Sequence, residues 1–173
     1  MSDAPAEEVP AEPEPPEEAY GALVTWSRGQ RVLHPSRETY LATVEALKAD
    51  GYVMCVDVCA TDYLLAKAPR ALPPGIAAER FEVVANLINH AERSRIRVRV
   101  QVPESDPTCP SLWPVHAGVE GPEREVFDLF GITFDGHPDM TRILMPENWQ
   151  GHPLRKDYAM GRIPVQFKGA PSS

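Results

Sequence analysis

The chain has 173 residues, 43% of them hydrophobic, with 25 acids against 17 bases and a net charge of −8, which fits one domain able to bury its own core. Seven of the acids (Asp3, Glu7, Glu8, Glu12, Glu14, Glu17, Glu18) precede the first base, Arg28, leaving 18 acids against 17 bases for a nearly neutral remainder. That balance excludes a nucleic-acid-binding face, which needs a basic excess, and no apolar run approaches the roughly 18 residues needed to cross a bilayer.

Residues 1–18 alternate Pro, Ala and Glu. Their low hydrophobicity and like charges predict a disordered acidic tail that cannot offset its ordering entropy. The same stretch has no basic-then-apolar leader, and Cys55, Cys59 and Cys109 are an odd set of thiols. Both features predict a reduced, cytoplasmic setting without structural disulfides. The globular part is expected over residues 19–134.

The first clear element is a helix over Arg37–Asp50, where Tyr40, Leu41, Val44 and Leu47 share one face. Ser36 can cap its start, and Gly51 can supply the left-handed residue after its end. "YVMCVDVCA", Tyr52–Ala60, is short, apolar and valine-rich, and predicts a buried strand holding inert thiols. After the Pro-rich loop at Leu72–Gly75, "RFEVVANLIN" predicts a second strand. In "RIRVRVQV" the residues Ile96, Val98, Val100 and Val102 alternate with Arg95, Arg97, Arg99 and Gln101. That period predicts one buried face, and the short link between the two strands predicts an antiparallel hairpin. The arginines then face solvent or a partner. "PESDPTCPS" reads as a loop, and "LWPVHAG" as a short helical turn.

"PEREVFDLFG" predicts a compact helix with Pro122 at its first position and Gly131 after its end. Val126, Phe127 and Phe130 form its apolar face, and Arg124 and Asp128, four apart, are expected to pair on its surface. From Asp135 to Ser173 five prolines and four glycines break every pattern, while "RILM" and "RIPVQF" are apolar enough to need covering. Residues 135–173 are therefore expected to form an extended arm shaped to lie against a partner.

The missing chemistry is informative. The eleven glycines never stand fewer than three residues apart, so neither a dinucleotide fingerprint nor a phosphate-binding loop can be written. Cys55 and Cys59, four apart on a strand, would sit ~13 Å apart, beyond one metal. Gly-His-Pro occurs twice, at Gly136–Pro138 and Gly151–Pro153, with Asp139 and Asp157 nearby. His137 and His152 with these aspartates could bind a metal or act as acid and base. No helical ligand spacing gathers them, however, and no nucleophile is signalled. The simpler expectation is two fixed bends whose imidazoles bond backbone groups, with Arg142, Arg155 and Lys156 free to donate to another surface.

"EREVFDLFGITFDGHPDMTRILMPENWQGHPLRKDY" resembles the signature region of the 30 kDa (C) subunit family of proton-pumping NADH:quinone oxidoreductase (NADH-quinone oxidoreductase), respiratory complex I. "RFEVVANLINH" and "RIRVRV" are similar to that family's central strands. One departure is Gly121-Pro122, where family members often carry an aromatic. The resemblance implies an α+β fold of two layers: a mixed, largely antiparallel sheet packed by helices, with an extended C-terminal arm. It implies a structural subunit of the peripheral arm, on the cytoplasmic side of the cell membrane. Members of the family carry no cofactor and have no catalytic activity alone. In that complex electrons pass from NADH through FMN and Fe-S clusters on other subunits to quinone, and the resemblance implies a translocase component that touches the membrane only through the complex. The implied partners are chiefly the large quinone-module component, D, with the components B and I. Glu123, Arg124, Glu125, Asp128, His137, Arg142, His152, Arg155, Lys156 and Asp157 occupy the signature positions and are expected to be architectural and inter-subunit residues. Three other functions fit the residues: an equivalent subunit of a membrane-bound hydrogenase or of a deazaflavin- or ferredoxin-fed oxidoreductase, a stand-alone His/Asp metal hydrolase, and an adaptor using the acidic tail.

Overall fold

In the computed structural model, residues 16–159 are described. Eight strands and two helices follow in the order β1 (Glu18–Ala19), β2 (Ala22–Ser27), β3 (Gln30–His34), α1 (Arg37–Ala49), β4 (Met54–Asp62), β5 (Phe81–Asn89), β6 (Ser94–Val102), β7 (Thr108–Pro110), α2 (Glu120–Phe130) and β8 (Thr133–Asp135). Six strands form one mixed sheet in the order β1-β2-β3-β6-β5-β4, in which only β3 and β6 run parallel. Strands β7 and β8 form a separate parallel pair. The α+β class and the mixed, mostly antiparallel sheet expected from the sequence are therefore present.

The β5–β6 hairpin is as the alternation predicts, with Val83 opposite Val100 and Ala85 opposite Val98. Ile96, Val98, Val100 and Val102 join Phe81, Val83 and Leu87 in one buried cluster with Tyr40, Val44 and Leu47 of α1 and Val126 and Phe130 of α2. At its start α1 carries a reciprocal Ser36–Thr39 capping box, and Gly51 follows its end at φ +92°. A Cβ at residue 51 would also lie 2.6 Å from Asn89 Nδ2 and displace that side chain, which donates to Asp50 O.

Four expectations are corrected. The β1–β2–β3 meander precedes the helix read as the first element. It is built on two tight turns, Tyr20-Gly21 and Arg28-Gly29, with all four residues at positive φ. Strand β4 is not buried: it is the sheet's edge, with Met54 and Val56 exposed. Cys59 is exposed and Cys55 half-buried, leaving Cys109 as the buried thiol. An apolar run looks the same at an edge as at a centre. Helix α2 begins two residues early, at Glu120, because a 3-10 turn over Ala117–Val119 runs into it, so Pro122 is its third residue. Proline fits there, since the first four helical N–H groups have no helical acceptor. Lastly, the loop "PESDPTCPS" contributes β7, paired to β8.

Residues 1–15 of the acidic tail lie outside the described residues. Glu18, read as its last residue, pairs with Leu23 in β1. The arm begins after Asp135, and "RIPVQF" lies outside the described residues.

Candidate docking site

The site is built on α2 and the arm that follows it. An α-helix leaves its last four carbonyls without helical partners. Here Gly131, at φ +73°, turns the chain so that its N–H reaches Phe127 O at 2.8 Å. The next three carbonyls are satisfied by residues more than twenty positions downstream. Asp128 O accepts from His152 Nδ1 at 3.0 Å, Leu129 O from Leu154 N–H at 3.0 Å, and Phe130 O from Arg155 Nε at 2.5 Å. The arm is thus the C-cap of α2, and its arginines complement the negative end of the helix dipole.

The Asp128 side chain, fully buried, organises the same junction from the other direction. Its Oδ1 accepts from Arg142 Nη1 at 2.6 Å, and its Oδ2 accepts the N–H groups of Ile143, Leu144 and Met145 at 3.1, 2.8 and 2.8 Å. Burial opposes its ionisation, but the Met145 N–H, Arg142 and the Leu144 and Ile143 N–H groups outweigh that, and its pKa falls below the usual carboxylate range. Asp128 therefore does not pair with Arg124 on the helix surface. Arg124 instead reaches Thr141 O and Oγ1 at 3.1 and 2.8 Å and stands 3.9 Å from Glu120 and from Asp139. At the other end of α2, buried Glu123 accepts from Ser111 Oγ at 2.5 Å and Leu112 N at 2.7 Å. Burial raises its pKa, against those two bonds.

Both Gly-His-Pro segments are fixed bends, with Gly136 at φ +84° and Gly151 at φ +80°. His137 Nδ1 accepts from Asp139 N at 3.0 Å, so its Nε2 donates to Glu120 O at 3.0 Å. His152 donates to Asp128 O, and burial holds its pKa down, so it serves as a neutral donor. The two imidazoles are pinned to carbonyls eight residues apart on one helix, ~12 Å along its axis. Both ring nitrogens of His137 and the Nδ1 of His152 are taken up in these bonds, so the pair does not present a set of free nitrogens to one ion. The imidazole of His152 also fits closely: a Cβ on Gly131 would lie 2.5 Å from its Nε2 and 2.8 Å from Arg155 Nη2.

A second fastening joins the arm's end to the sheet. Arg80 bonds Asp62 through two nitrogens, at 2.9 and 3.2 Å, and Asp157 at 2.8 Å, with Glu104 as a third carboxylate partner. Asp62 Oδ2 also accepts Lys156 N–H at 2.8 Å. Burial opposes ionisation of Asp62, but Arg80 and the Lys156 and Leu64 N–H groups lower its pKa overall. Arg80 and Arg155 both lie over the Phe81 ring, at 4.8 and 5.2 Å. Neither Arg80 nor Asp62 was singled out from the sequence; each is tied to the arm only through the fold.

Of the ten signature residues, seven thus bond on or around α2, and Asp157 bonds Arg80 at the sheet. Glu125 and the Lys156 side chain point to solvent and make no side-chain bond among the described residues. Arg142 and Arg155, expected to donate to another surface, donate within the chain. Among the polar residues that the arm exposes, such as Glu147, Asn148, Gln150 and Lys156, stand three apolar ones: Ile143, Leu144 and Leu154 are 45%, 59% and 46% exposed, and Leu64 and Leu65 are exposed in the turn that also bonds Asp62.

Residues 33–163 match the family described as the respiratory-chain NADH dehydrogenase, 30 Kd subunit. The chain is 39% identical over 163 residues to the C subunit of NADH-quinone oxidoreductase from Salinispora arenicola, covering 89% of this chain and 62% of that protein. It is 39% identical over 145 residues to the corresponding protein of a Nocardioides species, covering 82% and 54% respectively. It thus spans little more than half the length of these relatives. Among solved structures, the trypsin-resistant fragment (1-134) of Nqo5 superposes with a TM-score of 0.60 at 35% identity, over 69% of this chain and 89% of that one. A chain of the membrane-bound sulfane sulfur reductase, an archaeal respiratory membrane complex, superposes with a TM-score of 0.67 over 90% of this chain and 91% of its own, at 20% identity, a likeness of fold alone.

Proposed function

Because the chain belongs to the respiratory-chain NADH dehydrogenase 30 kDa subunit family, we propose that it is a cofactor-free structural subunit of the peripheral arm of a proton-pumping NADH:quinone oxidoreductase. In this reading FMN, the Fe-S clusters and quinone sit on other subunits, and the chain stands on the cytoplasmic side, reaching the membrane only through the complex. The large quinone-module component, D, is its chief neighbour, with B and I adjoining.

The observation that carries the proposal is how the arm's bonds are distributed. Its charged signature residues fasten it to α2 and to Arg80, so its exposed leucines and isoleucine stand on a shape set before any partner arrives. Large apolar side chains held outward on a fixed backbone suit an interaction site, and an arm preorganised in this way loses less entropy on docking.

The test is co-expression with the large quinone-module component, followed by a pull-down in mild detergent. The native chain should retain its partner. Ile143→Asp with Leu144→Asp should lose it while keeping the native melting profile, since both side chains are exposed. Retention of the partner by the double variant would sink the docking surface. A lone chain carrying stoichiometric flavin, iron–sulfur or zinc, or oxidising NADH by itself, would sink the structural role.

A second machine remains in view on one observation, the fold shared with the sulfane sulfur reductase complex. An equivalent subunit of a related hydrogenase or ferredoxin-fed complex would use the same arm, and the identity of the co-purifying donor module separates the two.

A further inference from the structure

A different surface, away from the arm, lies where the β2–β3 turn meets the start of β6. It is an open cavity of about 500 Å³ lined in part by Trp26, Arg31, Tyr52, Arg93 and Arg95, with no acidic residue among its lining. One carboxylate already reaches it. Glu17 Oε2 accepts from Trp26 Nε1 at 2.8 Å, and Glu17 Oε1 stands 3.7 Å from Arg31 Nε. The Arg31 guanidinium lies 5.5 Å over the Trp26 ring. Arg93 and Arg95 make no ion pair among the described residues, and the ten ion pairs there include neither.

We propose that this cavity is the docking site of the chain's own acidic segment, residues 3–14, which competes there with acidic segments of other polypeptides. The inference goes beyond the structural role and does not depend on it. Three observations select this occupant. Residues 3–14 carry five acids, Asp3, Glu7, Glu8, Glu12 and Glu14, and no base precedes Arg28. The segment joins the domain through Pro15, Pro16 and Glu17, and Glu17 is the carboxylate already seated on Trp26 and Arg31. Its twelve residues reach at most ~40 Å, which confines the carboxylates near the arginines. Single exposed ion pairs contribute little. Several held at the high effective concentration of a short tether exclude a free acidic competitor.

The experiment compares the 173-residue chain with a variant carrying Asp3→Asn, Glu7→Gln, Glu8→Gln, Glu12→Gln and Glu14→Gln. In NMR spectra at low salt, the backbone amides of Gly29, Gln30, Ser94 and Arg95 should differ between the two. They should converge at about 0.5 M salt, where screening lengths fall to ~4 Å. A labelled peptide copying residues 1–18 should bind the neutralised variant at least about tenfold tighter than the native chain. Adding Arg93→Glu and Arg95→Glu to that variant should abolish the binding. Identical amide spectra overturn the proposal. So does equal peptide affinity for both chains, which would mark the cavity as open to acidic partners from elsewhere. Failure of the neutralised variant to bind the peptide overturns it as well.

Discussion

Replacing Asp128 by Asn tests the arm junction at its centre. The substitution keeps the volume but puts an amide NH₂ where a carboxylate oxygen faced donors. One side of Asp128 holds Arg142 and the other holds three backbone N–H groups. Whichever way the amide is turned, donor meets donor. Breaking one partner of a buried charge pair costs about 3–5 kcal/mol, but the freed arm can recover water, so about 3 kcal/mol is the expected loss. At ~1.4 kcal/mol per decade, opening of the arm should become roughly a hundredfold more frequent. Amide hydrogen exchange reads this directly. The amides of Leu144, Met145 and Leu154 should exchange about a hundredfold faster, while those of Val83, Ala85 and Val98 in the sheet stay protected unless the whole domain melts. Unchanged protection at residues 143–145 would refute the claim that this carboxylate holds the arm.

The remaining predictions concern the same packing. Gly131→Ala should free the arm as Asp128→Asn does, since φ +73° and the close approach of His152 and Arg155 both oppose a Cβ; an unchanged urea midpoint would contradict this, against about 1–2 kcal/mol expected for the backbone strain alone. Acid should release the arm. The folded pKa values of Asp62 and Asp128 are depressed, so their contribution is complete above the unfolded value near ~3.9 and is lost as pH falls through the lower folded values. Urea midpoints measured from pH 5 to pH 2 should fall less steeply in Asp128→Asn. His34, whose pKa burial lowers to about 4, should make stability fall as pH drops from about 6.5 towards 4, and His34→Gln should flatten that slope. Maleimide labelling of the folded chain should modify exposed Cys59 and spare buried Cys109, and labelling of Cys109 before unfolding would contradict its burial.

The elements with sustained period could be read from sequence, and those fixed by distant partners could not. The β5–β6 hairpin and α1 announce themselves because their buried residues recur at fixed spacing over nine residues or more. The strands β2 and β3, of six and five residues, are too short for that. Their signal was the Arg28-Gly29 pair between "LVTWS" and "QRVLH", a two-residue turn with both φ positive. The Arg124–Asp128 pairing failed for a related reason. Spacing on a helix reveals only local partners, whereas Arg142 reaches Asp128 from fourteen residues downstream. The histidines were legible as bends because Gly-His-Pro fixes its own backbone. The carbonyls they bond were not, since those lie on a helix seventeen and twenty-four residues upstream. Arg80 joins residues 62, 104 and 157, a convergence no local pattern encodes.

The bonds of the signature residues can therefore be understood as one device. Helix α2 ends in three carbonyls and an aspartate that need donors, and the arm returns with His152, Leu154, Arg155 and Arg142 to supply them. Glycine is required where that return presses closest, at Gly131 and at Gly151, where a Cβ would lie 2.9 Å from the Tyr158 ring. Because Arg142, Arg155 and both imidazoles find acceptors inside the chain, the signature leaves few of its charges to be neutralised by a neighbour. Burying such charges against a partner would require matching each one, and an unmatched one costs several kcal/mol. An arm that settles its polar bonds internally can meet a neighbour through Ile143, Leu144 and Leu154, where shape is the main requirement. An irregular segment can be held this firmly because the end of a regular helix supplies the acceptors that its own backbone pattern lacks.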